Sequence, residues 1–199
     1  MTYRCFELDP TIGRDIKENI YEGLAKKYGM SIAQAKANTQ RMVQMAKEVG
    51  LDYQMDSLIL TNTFDAHRLT MFAKQKGLMK EMTERILQAY FTESKHIGDH
   101  ETLTDLAVEV GLNREEVAKM LASDEMSDVV RADEQTAKQY GVTGVPFFLI
   151  NKKYALTGAQ PTETFVQALK KVLAENQITV LNSQDGLNCD EDGCEIPEK

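Results

Sequence analysis

No apolar run in this sequence approaches the ~20 residues that a bilayer-spanning helix needs, so no helical span is expected. The first residues, Met1-Thr2-Tyr3-Arg4-Cys5-Phe6, lack the basic start and the apolar core of a secretory signal, which makes the cytoplasm the expected location. Basic charge is in deficit: 23 Lys and Arg stand against 31 Asp and Glu, a net charge of −8, which argues against a nucleic-acid backbone as a partner. Cysteine is scarce. Cys5, Cys189 and Cys194 are too few for a disulfide-dense secreted scaffold, and only the last two lie close together. Internal repeats and low-complexity tracts are absent. What remains is an ordinary globular balance, 42% hydrophobic and 27% charged over 199 residues, enough for one domain or a domain with a sizeable insertion.

Residues 3–8 are apolar and aromatic and end at Asp9-Pro10, which predicts a short buried strand. Helical spacing follows. Residues 16–28 alternate charged and apolar side chains up to Gly29, and Ser31-Ile32-Ala33-Gln34 is a capping box. Beyond it, Ile32, Ala35, Thr39, Met42, Ala46 and Val49 recur every three or four residues and predict one buried helix face, closed by Gly50. Further helices are expected over residues 63–76, 78–92, 101–110, from Asn113 onward, and 124–140, so that residues 16–140 are almost wholly helical. The period then changes. Pro146-Phe147-Phe148-Leu149-Ile150 is a short apolar run, Asn151-Lys152-Lys153 is a tight turn, and residues 154–157 can pair back as a hairpin. Pro161 stands at the first turn of a last helix with Phe165, Leu169 and Val172 on one face. After Asn176 the chain is polar and acidic.

The segment Gly141-Val142-Thr143-Gly144-Val145-Pro146-Phe147-Phe148 places a bulky residue before a proline that opens a strand. A cis bond costs little before proline and would leave the backbone of the preceding residue free to pair with an extended peptide. A trans proline that merely starts a strand is the alternative; the hairpin and helix that follow favour cis.

Four segments in order, Phe6-Glu7-Leu8-Asp9-Pro10, Asn62-Thr63-Phe64-Asp65-Ala66-His67-Arg68-Leu69, the Gly144-Val145-Pro146-Phe147-Phe148 stretch and Leu156-Thr157-Gly158-Ala159-Gln160-Pro161, resemble the FrnE branch of the DsbA family. The resemblance spans nearly the whole chain. It implies an α/β thioredoxin-like fold of DsbA type with a large all-helical insertion. Residues 1–12 and 138–178 would form the thioredoxin-like halves, 13–137 the insertion and 179–199 an acidic tail. It also implies thiol–disulfide oxidoreductase or isomerase chemistry on protein or peptide thiols, with the substrate backbone at Gly144, Val145 and Pro146. The family's Cys-x-x-Cys follows its first strand. This sequence has no Cys-x-x-Cys and starts at what corresponds to the second strand, so the first βα unit is expected to be missing, through a late start or a truncation. Two other readings stay open. One is a glutathione-dependent isomerase or transferase of the 2-hydroxychromene-2-carboxylate isomerase or kappa type; the other is a redox-inactive peptide-binding module. No bound cofactor is expected, glutathione being the candidate redox partner or co-substrate. An open inner sheet edge would favour a homo-oligomer.

Cys189-Asp190-Glu191-Asp192-Gly193-Cys194 is the remaining candidate for chemistry. Gly193 lets the chain turn enough to bring the sulfurs together. The acidic neighbours oppose thiolate formation, which suits a slow auxiliary redox pair better than a fast nucleophile. The pair also looks like the extra cysteines of FrnE-type proteins. An incidental disulfide is a second use; a metal site is a third, with no histidine in the tail to support it. Cys5 reads as a buried, inert thiol. His96 and His100 have metal-pair spacing, but Gly98 and Asp99 between them suggest a loop and a helix cap. Asn62 is expected to cap a helix and His67 to pack at a junction between subdomains. Met42, Met71, Met79 and Met82 are expected in the core, and Asp133-Glu134 on a solvated helix face.

Overall fold

The computed structural model describes residues 2–175 and the backbone of two short strands, Cys189–Asp190 and Gly193–Cys194. The chain divides into two units, Met1–Thr143 and Gly144–Lys199.

The first unit is helical among its described residues. Its elements are α1 (Ile20–Tyr28), α2 (Ile32–Glu48), α3 (Phe64–Gln75), α4 (Met79–Phe91), α5 (His100–Glu109), α6 (Arg114–Leu121) and α7 (Ser127–Gln139). Local chemistry sets most of the starts. Asn19 and Glu22 form a reciprocal capping box, which is why α1 begins at Ile20 and not near residue 16. Ser31 and Gln34 do the same for α2, Asp99 accepts from Thr102 N–H at the start of α5, and Asn113 accepts from Glu116 N–H at the start of α6. Residues 49–63 are irregular rather than helical, held in part by Gln54 N–H donating to the Phe91 carbonyl (2.7 Å) and by Tyr53 stacked on Phe91 (4.8 Å).

Helix α3 is the centre of this unit. Ala66 and all residues from Arg68 to Ala73 are buried, and Leu69 packs with Met82 of α4, Leu103 and Leu106 of α5 and Val117 and Met120 of α6. Burying side chains of this size contributes about 1.5–3 kcal/mol each. Met71 joins a smaller cluster with Cys5 and Val130, and Met79 packs against it. Met42 does not belong to any core: it is exposed, as are Ile32 and Val49. The buried face of α2 consists of small residues, Ala35, Thr39 and Ala46, and the larger apolar side chains at its margins stay in solvent.

Residues 3–8 do not form the expected strand. No neighbouring strand is present among the described residues, and the backbone there is held by side chains instead, with Cys5 N–H donating to Asp133 Oδ2 at 3.0 Å. A strand needs a second backbone to pair with, and apolar alternation alone cannot supply one.

The second unit opens with an antiparallel hairpin, β1 (Phe147–Ile150) and β2 (Tyr154–Thr157), in the register Phe147↔Thr157 to Ile150↔Tyr154. Helix α8 (Thr162–Glu175) follows, and Phe165 meets Phe148 edge-on with ring centroids 4.8 Å apart. Val172 is buried but Leu169, expected beside it, is exposed. The strands β3 (Cys189–Asp190) and β4 (Gly193–Cys194) pair antiparallel, with Cys189 opposite Cys194. No helix among the described residues is long and apolar enough to cross a membrane.

Candidate functional site

The loop that precedes β1 carries the first candidate site. The Val145–Pro146 peptide bond is cis. The Pro146 carbonyl accepts from Gly158 N–H (2.8 Å), one bond beyond the β1–β2 ladder. Val145 stands apart from that ladder. Its side chain is 50% exposed, and neither its N–H nor its C=O is hydrogen-bonded among the described residues. One edge of β1 pairs with β2 and the other pairs with nothing described. Unpaired backbone next to an unpaired strand edge is the arrangement an extended peptide can join.

The second candidate is the pair Cys189 and Cys194. Their side chains, and those of Asp190, Glu191 and Asp192, lie outside the described residues. The backbone register puts the two cysteines directly opposite one another. Opposed residues of an antiparallel pair have Cα atoms about 4.5–5.5 Å apart, inside the ~4.4–6.8 Å that a disulfide spans.

Cys5 is of the other kind. It is 2% exposed, its thiol faces the His67 carbonyl at 3.9 Å, and burial, reinforced by Asp133 and Glu134, pushes its pKa up to about 12. A thiol that stays protonated is neither a nucleophile nor a ligand. His96 and His100 do not converge. His96 Nε2 lies 3.2 Å from the Arg14 carbonyl, and His100 Nε2 lies 2.7 Å from Asp65 Oδ2. Asn62 stands one residue before the N-cap of α3, Thr63, and its Oδ1 accepts from Phe64 N–H (2.8 Å) while its Nδ2 donates to the Ile12 carbonyl (3.1 Å). A cavity of about 180 Å³ between α1, α2 and the 51–58 segment is lined by Tyr21, Gln40, Lys47 and Tyr53, and contains none of the expected site residues.

Two clusters of charge were not legible beforehand. In the first, Arg68 is 4% exposed and donates to the carbonyls of Met120 (2.7 Å), Ser123 and Glu125 (2.9 Å), with Nη1 on Asp65 Oδ1 at 2.7 Å. The other Asp65 oxygen accepts from His100, which fixes the Nε2–H tautomer because a carboxylate can only accept. Burial works to raise the Asp65 pKa, but the hydrogen bonds from His100 and Arg68 outweigh it and hold the carboxyl below its usual range. A depressed folded-state pKa gives stability that is present above the unfolded value and lost as pH falls through the folded one. Acid unfolding should therefore begin as pH drops below the ordinary ~3.9 of aspartate, and Asp65→Asn should flatten that limb of a stability–pH curve. An unchanged acid limb in the variant would show that Asp65 is not responsible.

In the second cluster, Asp133 is buried, not solvated. It accepts from Arg4 Nη1 (2.8 Å) through Oδ1 and from Cys5 N–H through Oδ2. Glu134 and the buried Glu7 both lie 2.6 Å from Arg131 Nη1. Arg131 in turn lies over the Phe64 ring, 4.0 Å from its centroid. His67 bonds the Phe6 backbone, and burial lowers its pKa, so it is neutral at neutral pH. The signal that could have revealed the cluster is the spacing Arg131-Asp133-Glu134 beside a helix face that also carries Val130.

A mostly helical chain with two two-stranded sheets among its described residues, and a Val-Pro loop leading into a ββα unit, has the thioredoxin fold of the DsbA type. Residues 1–170 match the DSBA-like thioredoxin domain family, and the chain belongs to that family. It is similar to a probable DsbA oxidoreductase from Streptomyces coelicolor, with 39% identity and a TM-score of 0.82 over 98% of this chain and 83% of that one. It is also similar to the protein YwbO of Bacillus subtilis (strain 168), 34% identical over 99 residues, which is 49% of this chain and 49%, about half, of that protein. A more distant fold neighbour is the cytosolic disulfide reductase DsbM of Pseudomonas aeruginosa, solved with GSH, at 16% identity and a TM-score of 0.51, covering 67% of this chain and 73% of that one.

Proposed function

We propose that this protein is a cytoplasmic thiol–disulfide oxidoreductase or disulfide isomerase of FrnE type that acts on protein or peptide thiols. Its substrate backbone is held at Gly144, Val145 and Pro146, and Cys189 and Cys194 serve as an auxiliary redox couple. The observation that carries the reading is that, among the described residues, nothing pairs with the Val145 backbone or with the second edge of β1 beside it. A peptide laid there in extended form gains main-chain hydrogen bonds without regard to its sequence, which suits an enzyme with many substrates.

The redox step assigned to this chain's own thiols balances without a cofactor. The thiolate of one cysteine attacks a substrate disulfide, forming a mixed disulfide and releasing one substrate thiolate. The second cysteine then displaces the other substrate sulfur. The protein ends as the Cys189–Cys194 disulfide, and the substrate gains two electrons and two protons. Release of the mixed disulfide to a different substrate thiol would give isomerisation. Glutathione is the small thiol proposed to return the pair to the reduced state, a choice in keeping with the GSH-containing DsbM structure.

The test is disulfide exchange with an oxidised fluorescent peptide, followed at several pH values. Cys189→Ser and Cys194→Ser should each lower exchange at least ~10-fold, Cys5→Ala should leave it unchanged, and the rate should climb as pH passes the ordinary ~8.5 of a thiol. Both serine variants exchanging at the wild-type rate would remove the redox assignment. Peptide binding that survives in them would leave a redox-inactive binding module.

A further inference from the structure

The first eight residues lie against α7 through an arrangement that has one positive charge too few. Glu7 has a side chain only 1% exposed, and it shares a single guanidinium nitrogen, Arg131 Nη1, with Glu134 at 2.6 Å each. Of the other cations nearby, Arg4 is already on Asp133 and Lys74 of α3 acts on the Cys5 thiol. From α3, His67 is neutral and turned to the Phe6 backbone. The Cys5 thiol is protonated. Glu7 Oε1 and Glu134 Oε1 are buried and have no donor, while the second oxygen of each carboxyl meets the same Arg131 nitrogen. Two carboxylates can bond each other only when one of them carries a proton, because each is otherwise an acceptor alone. A proton on one of the two carboxyls would supply the donor that these buried oxygens lack.

We propose that Glu7 and Glu134 hold one proton between them, and that this proton latches residues 2–9 onto α7, so that the segment loosens as pH rises and the Cys5 thiol becomes accessible. With the proton present, Arg131 balances the single negative charge of the pair. Without it, two buried carboxylates face one cation and repel. The sign agrees with the environment of Glu7: burial first, then Glu134, raise its pKa against the pull of Arg131. A raised folded-state value means stability present at low pH and lost as pH rises through it. Asp133 does not take part, since both its oxygens have donors, Arg4 and the Cys5 N–H.

The test uses the full chain and two readouts. Site-resolved alkylation of Cys5 by a neutral maleimide is followed across the pH range in which the Glu7 carboxyl titrates, in wild type and in Glu7→Gln, whose amide donates where the protonated carboxyl did. The rise in thiolate with pH is common to both, so the comparison isolates the latch. Wild-type labelling should rise at least ~10-fold more than that of the variant over this range, and His67→Gln should keep the wild-type profile. Identical profiles in wild type and Glu7→Gln would overturn the proposal. The second readout needs no variant: carbon-13 NMR of the glutamate carboxyls should show Glu7 titrating above the usual ~4.3. Glu7 ionising at the ordinary value would overturn it as well.

Discussion

Replacing Arg68 by methionine should destabilise the helical unit by about 3–5 kcal/mol, the range for removing one partner of a buried ion pair. The guanidinium is held by Asp65 Oδ1 and by the carbonyls of Met120, Ser123 and Glu125, which belong to the end of α6 and the turn into α7. These carbonyls need a donor because the helix that would have used them ends there. Methionine fills the volume but supplies no N–H, so the Ser123 and Glu125 carbonyls and Asp65 Oδ1 lose a donor at once, while the Met120 carbonyl keeps Ser123 N–H and Oγ and Asp65 keeps His100. Lysine keeps the charge but not the planar fork, and Arg68→Lys should recover only part of the loss. The measurement is urea unfolding, where the midpoint should fall with the slope unchanged. An exposed arginine gives the contrast: Arg114 pairs with Glu101 and Asp105 at the surface, and Arg114→Ala should leave the unfolding midpoint nearly unchanged. A similarly small loss for Arg68→Met would mean that solvent replaces the guanidinium and that the turn does not depend on it.

The difference between these two arginines marks where sequence pattern stops being informative. Helix spacing, caps and the change to a short apolar run were legible, because Ser31, Asp99, Asn113 and the Asn151-Lys152-Lys153 turn act on their own neighbours. Asn19 acts in the same local way, and the start of α1 could have been placed from the Asn19–Glu22 spacing. The second unit was readable for the same reason: a hairpin and the helix after it are built almost entirely from near neighbours in sequence. Arg68, Asp133 and Glu7 find their partners 52 to 129 residues away, as in Arg68 with Met120 and Arg4 with Asp133. Charge in a helical segment reads as a solvated face unless the distant partner is known, which is why Asp133-Glu134 was expected at the surface. The same limit applies to residues 3–8. Their alternation fits a strand, but what they lie against is α7 and α3, and side-chain carboxylates take the role of a sheet neighbour. The candidate site divides along this line too. The Val145-Pro146 loop was visible from its own residues, and the titratable clusters were not.

Gly98→Ala should cost about 1–3 kcal/mol although the position is not in a left-handed conformation and alanine suits the local backbone. The reason is space. A methyl group at residue 98 would fall well inside contact with Thr61 Oγ1 and would lie 3.0 Å from Arg14 Cγ and 3.2 Å from His96 Cε1. None of these can move cheaply. Thr61 donates to the Arg14 carbonyl at 2.7 Å, His96 Nε2 approaches the same carbonyl at 3.2 Å, and Asn62 N–H and Nδ2 hold the Gly13 and Ile12 carbonyls at 3.2 and 3.1 Å. The close approach of Gly98 is thus what lets the segment before α1 be tied to the segment before α3. Pairing the change with Thr61→Ala separates steric from backbone effects. Thr61→Ala alone should cost about 1 kcal/mol for its hydrogen bond, more if the Arg14 carbonyl is left dry. The double variant should be more stable than the sum of the two single losses predicts, because the clash that defines the first loss disappears with the second hydroxyl. Strict additivity in thermal or urea unfolding would show that the methyl group is accommodated elsewhere and that Gly98 is not kept glycine by Thr61.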